Sequence, residues 1–176
     1  MPADLHAIEN ALYTWLNTAT DVPVIWSGQR NLHQPEGDYC SLTWIDPDHR
    51  VGAFDAVYAR SREGSPPAGE EIELHVLAER EASLLVQAYS DDSLGPTSAW
   101  QRLRTARLAL GKPSVAAAFE AAGFAVIDAA DLQVVPVIVD DDWEGRATFR
   151  LRIRYRDGVS EFVTYIQKVN LVPPGS

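Results

Sequence analysis

Three observations predict a mixed α+β fold, a single domain whose mostly antiparallel sheet carries helices on one face. Residues 70–90, EEIELHVLAEREASLLVQAYS, begin with strict alternation. Ile72, Leu74, Val76 and Ala78 point one way, and Glu71, Glu73, His75 and Glu79 the other, which is the period of a strand with one buried face. Residues 146–156 repeat that pattern more cleanly, with Ala147, Phe149, Leu151, Ile153 and Tyr155 opposite a row of arginines. Residues 4–18 and 97–122 instead space their apolar side chains by three and four, as helices do. No internal repeat or linker divides residues 1–176, a length sufficient for one hydrophobic core.

The first helix is expected over 4–18, with Asp4 as N-cap and Leu5, Ile8, Leu12, Trp15, Leu16 and Ala19 on its buried side. A short strand follows at 22–27, where Pro23 suggests an edge or a strand start. Residues 29–38 form a loop, and 39–45 (YCSLTWI) form a strand that Asp46-Pro47-Asp48 should stop. Residues 51–59 are a weaker strand. Residues 60–69 (RSREGSPPAG) have no means of packing into a core and read as a flexible loop. That loop either joins two strands or orders against a neighbouring molecule.

A single straight strand over 70–90 would reach about 60 Å at roughly 3.3 Å per residue, too long for a small domain. A break near Glu79-Arg80-Glu81 is therefore expected, giving two strands or one bent, bulged strand. The denser run Leu84 to Tyr89 suits burial on both sides. A helix from Thr97 or Ser98 to Leu110, ended by Gly111, buries Trp100, Leu103, Ala106 and Leu110. Ser114 caps a second, short helix that Gly123 terminates. Strands follow at 124–127, at 132–139 with an interruption at Pro136, and at 146–156, closed by Asp157-Gly158. A last strand at 163–172 precedes a frayed tail at 173–176.

The composition excludes several classes of function. A net charge of −10 and a pI near 4.7 repel nucleic acid, unless a basic patch is segregated locally. Cys40 is the only cysteine, which leaves no internal disulfide and no cysteine-based zinc site. The N-terminus has no basic region followed by an apolar block, and no apolar run approaches the roughly 20 residues of a membrane span. The expectation is a soluble, intracellular protein.

The charged strand carries the main candidate site. Arg146, Arg150, Arg152, Arg154 and Arg156 share one face with Thr148, and like charges two residues apart repel. Glu71, Glu73 and Glu79 form a matching acidic row. If the two strands are neighbours, cross-strand pairs neutralise both rows, each pair worth about 0.2–1 kcal/mol. Otherwise the arginines can meet an acidic surface on another copy, because guanidinium groups bind carboxylates bidentately. A nucleic-acid patch fits less well, since no aromatic residues are interleaved. Asp140-Asp141-Asp142 with Glu144 lacks the spacing and glycine of an EF-hand loop and reads as a solvated turn. His6, His33, His49 and His75 occur singly, in a helix, two loops and a strand, and no HExxH, GxSxG, GxGxxG or P-loop is present. The five tryptophans read as core rather than as ligand platforms. No cofactor and no catalytic residue is expected.

Several stretches in succession resemble the bacteriophage neck or tail-terminator proteins: DLHAIENALYTWL, EIELHVLAEREASLLVQAYSDD, LRTARLALGKPSVAAAFEAAGFAV, WEGRATFRLRIRYRDG and VTYIQKVNL. Two features depart from that pattern, the LGPTS segment before the helix and the Ser65-Pro66-Pro67 loop. The resemblance implies an α/β structural virion protein without catalytic activity, assembled in the host bacterial cytoplasm. It would form a ring, usually hexameric, at the head–tail junction. There it would cap the head-proximal end of the tail tube, stop its polymerisation and dock the filled head. Its implied partners are other copies of itself, the tail tube protein and a head-completion or connector protein, and genomic DNA would pass through the bore without specific binding. No membrane partner is implied. The arginine row with Glu71, Glu73 and Glu79 is then the candidate subunit interface. Arg60, Arg62, Glu63, Pro66 and Pro67 are the candidate contact loop for tail or connector. Two alternatives stand beside this reading: a head-completion or connector subunit at the same junction, and a small acidic metal-dependent hydrolase using residues 140–144.

Overall fold

The computed structural model describes residues 4–28, 35–51, 55–61, 72–90, 98–135, 137–139 and 142–163, with backbone alone for 137–139 and 142–144. The chain runs α1 (Leu5–Thr20), β1 (Val24–Trp26), β2 (Tyr39–Arg50), β3 (Ala56–Ser61) and β4 (Ile72–Ser90). It continues through α2 (Ser98–Ala109), α3 (Pro113–Ala121), β5 (Phe124–Ala129), β6 (Gln133–Val134), β7 (Val137–Val139) and β8 (Asp142–Val163). The main path of the sheet is β1-β2-β4-β8-β5. Among the described strands only β1 pairs in parallel, with β2, so the sheet is mixed and mostly antiparallel as expected.

Helix α1 forms where the pattern placed it. The Asp4 carboxylate accepts from the backbone N–H groups of His6 and Ala7 at 3.0 and 3.2 Å, satisfying two orphan donors of the first turn. Ile8, Leu12, Trp15 and Leu16 are buried, and the helix ends at Asp21, which adopts a left-handed φ of 55°. Ile8, Leu12 and Leu16 join Leu42, Leu84, Val86, Leu103, Phe149, Leu151 and Ile153 in one core, between the helices and one face of the sheet. The Trp15 indole N–H donates to the Ala106 carbonyl at 3.2 Å, and that of Trp44 to Glu9 Oε1 at 3.0 Å. Trp15 is core, and Trp26, Trp44 and Trp100 pack against the core half-buried. The side chain of Trp143 lies outside the described residues.

Several element boundaries differ from the sequence expectation. Strand β4 does not break at Glu79-Arg80-Glu81. It pairs with β8 without a register shift from Ile72↔Val163 to Ser90↔Gly145. The irregularity falls instead on β2, whose register against β4 shifts between Trp44 and Asp46 and again before His49. Pro47 therefore does not stop β2, which carries His49 as a strand rather than a loop residue. Pro47 falls in the register gap between Asp46↔Ser83 and His49↔Glu81, so the N–H that proline lacks has no ladder partner to lose.

The run Leu84 to Tyr89 is buried on one side only. Leu84, Val86 and Ala88 lie in the core, and Leu85, Gln87 and Tyr89 on the opposite face are half-buried. The helix α2 buries Ala99, Leu103, Ala106 and Ala109, while Trp100 and Leu110 are half-buried. Lys112, not Ser114, is the N-cap of α3, and Pro113 takes the first turn, where its missing N–H is harmless.

Asp157-Gly158 does not close β8 either. A Cβ at Gly158 would stand 2.6 Å from Leu77 Cδ2 and 2.9 Å from the Val76 carbonyl oxygen. The glycine permits close strand approach instead of a turn. The strand expected at 163–172 and the tail at 173–176 lie, beyond Val163, outside the described residues.

On the Ile72 side of Glu79 the sheet continues past the described helices as a ribbon of β3, β4 and β8. Strand β3 pairs with β4 from Ala56↔Leu77 to Ser61↔Ile72, and β8 pairs with the same segment from the other side. A polar belt separates ribbon from core. Tyr155 donates its hydroxyl to the Pro47 carbonyl at 3.0 Å, and Arg80 pairs with Asp48 and Asp55 at 3.5 and 3.6 Å.

Candidate subunit interface

Strand β8 turns alternate side chains to opposite faces, so the parity that buries Ala147, Phe149, Leu151, Ile153 and Tyr155 puts all five arginines on the helix-free face. Because β4 is the neighbour of β8, the first condition of the sequence reading is met and cross-strand pairs form. Arg156 Nε lies 2.9 Å from Glu79 Oε1. Arg152 and Arg154 share Glu81, one on each carboxylate oxygen, at 2.7 and 2.5 Å.

Glu81 is the residue that the sequence reading missed. Its side chain is only 12% exposed, against 44% and 46% for its two arginines. The hydrogen bonds from Arg154 and then Arg152 hold its carboxyl below the ordinary value of 4.5. The same contact, with help from Asp128, raises the Arg152 guanidinium further. The signal for Glu81 was present: it shares the parity of Glu73 and Glu79, and placing a break at 79–81 hid it.

The rest of the predicted acidic row behaves differently. Glu73 stands opposite Phe162 on β8, not opposite one of the five arginines, and opposite Arg60 on β3; its Oε2 lies 3.3 Å from His75 Nε2. Glu71 lies outside the described residues. Arg146 stacks on the Tyr89 ring at 4.7 Å, and Tyr89 in turn stacks on Tyr39 at 4.4 Å.

Arg150 is the exception in the row. Its side chain is exposed and, among the described residues, has no ion-pair or hydrogen-bond partner. It borders a recess of about 260 Å³ whose wall includes Leu85, Asp131, Gln133 and Thr148. Three of the five arginines, Arg152, Arg154 and Arg156, thus meet two glutamates directly.

Of the predicted contact loop, Arg60 is an exposed residue of β3 opposite Glu73. Arg62, Glu63, Pro66 and Pro67 lie outside the described residues, as do Asp140, Asp141 and the side chains of Asp142 and Glu144. Among the described residues no three His, Cys, Asp or Glu side chains are grouped to hold a metal ion, and no helix is long and apolar enough to cross a membrane. Cys40, on β2 beside Val24, is buried, and burial pushes its thiol up to about 11.

The fold and this face define an α+β subunit whose chemistry is concentrated on one charged sheet surface. The chain belongs to the phage neck terminator protein family, whose model matches residues 6–175. No curated protein matches it. Among solved structures it is similar to the sheath/tube terminator of an extracellular contractile injection system (PVC) in the extended state. The identity is 14% and the TM-score 0.47, over 100% of this chain and 65% of that one, so the chain spans about two thirds of that neighbour's length.

Proposed function

We propose that this chain is a ring-forming tail terminator. Copies assemble on the head-proximal end of the tail tube, stop its polymerisation and present a docking surface to the filled head. The observation that carries this reading is the family match over residues 6–175. A ring requires heterologous contacts, in which two different faces of one subunit meet. The arginine face supplies one such face. Arg150, exposed and unpartnered among the described residues, is its free cation, and an acidic patch of the adjoining copy or of the tube is its complement. The net charge of −10 suits a bore through which DNA passes without adhering, because phosphates are repelled.

Immunogold labelling of phage particles tests this directly. Gold confined to the head–tail junction is the expected result. Unlabelled particles that also lack the protein on a denatured-particle blot would contradict it.

A further inference from the structure

The β3–β4–β8 ribbon carries an apolar face that, among the described residues, has no helix over it. Because the β4–β8 register is unbroken, side-chain parity carries from core to ribbon, and the face that buries Leu84 and Val86 continues outward. On it, Val57, Val76 and Val159 form one cross-strand row, and Ala59, Leu74 and Glu161 the next. Val57 is 64% exposed and Val159 66%. Contiguous exposed apolar surface of this kind marks a contact site.

The same chain has a second unfilled apolar feature. Between α1 and α3 runs a groove of about 440 Å³, floored by the edge-to-face pair of Trp15 and Phe119 and walled by small residues such as Ala11, Ala19 and Ala118. Lys112 is the one charged residue in its lining. Glu161, also exposed, is the charge in the two outward rows of the ribbon face. The two surfaces match in polarity and are opposite in charge. Within one copy they cannot meet, since β4 and β8 run from core to ribbon without the break that would let the ribbon fold back.

We infer that the ribbon face of one copy seats in the α1–α3 groove of the next, with Val57 and Val159 against the Trp15–Phe119 floor and Glu161 near Lys112. This contact rests on the ring reading and assigns it a geometry: two different surfaces of each copy, repeated head to tail, which close a ring when the rotation permits. It uses the helix-bearing side of the sheet, while the arginine face on the opposite side supplies a separate contact, to the adjoining copy or to the tube.

Mixing two singly substituted proteins, Val159→Cys and Ala118→Cys, under a mild oxidant tests the contact, with light scattering to read self-association. Cys40 is buried with a thiol pushed up to about 11, so it stays out of the exchange. The expected result is a disulfide between unlike copies in the mixture that exceeds the self-linked product of either protein alone. Glu161→Lys should weaken assembly about two- to fivefold per contact, as loss of an exposed ion pair does, and Lys112→Glu added to it should restore assembly. Oligomers without the mixed disulfide would overturn this contact and leave the ring reading standing. A chain that stays monomeric at every concentration, with no cross-link, would overturn the contact together with the ring.

Discussion

Gly158 stands directly opposite Leu77 in the β4–β8 ladder, and the leucine occupies the space that a side chain at 158 would need. Leu77 can rotate away, but the Val76 carbonyl oxygen, 2.9 Å from a Cβ at that position, belongs to the backbone and cannot. Gly158→Ala should therefore destabilise the fold by about 1–3 kcal/mol, the range for overpacking a close contact. Urea denaturation of the two proteins measures it. A change within experimental error would show that the strands separate there without cost.

Glu81 provides a pH signature. Its folded carboxyl titrates below the ordinary value of 4.5, so its contribution to stability is fully present above about 4.5 and is lost as pH falls through the lower folded value. Glu81→Gln removes that contribution. The variant should be less stable than the parent near neutral pH, and the difference should narrow on acidification below 4.5. Thermal unfolding of both proteins across that range checks the sign. A gap that widens toward acid would contradict it.

How much of this could be read from the chain alone depended on how local the cause was. The α1 helix and its Asp4 cap were legible because capping involves residues two and three positions away. The arginine row was legible because parity is a local property of a strand. The lengths of β2, β4 and β8 were not. Pro47, Glu79-Arg80-Glu81 and Asp157-Gly158 all signal interruption locally, yet the mutual pairing of β4 with β8, and a bulge carried by β2, override each signal. Glu81 was missed for that reason, since its role exists only across the ladder. The one-sided burial of Leu84 to Tyr89 was equally invisible, because an apolar run does not reveal which face the helices cover.

Arg150 separates interface from stability. Its side chain pairs with nothing among the described residues, so Arg150→Glu should leave monomer stability within about ±0.5 kcal/mol, as surface substitutions do, while impairing assembly or tube binding. Adding Arg152→Glu should impair assembly further, but it also removes the 2.7 Å contact with Glu81, puts a like charge near that carboxylate and so lowers monomer stability. Sedimentation of assembled species, read alongside monomer unfolding, distinguishes the two effects. Unchanged assembly in both variants would remove the arginine face from the interface.

The most direct measure of the central claim is tail-tube length in particles from the phage that encodes this chain, with and without the protein. Tubes of variable, excessive length with no heads attached, restored to uniform length when the protein is supplied, are the predicted result. Tubes of normal length carrying heads in its absence would contradict the terminator reading.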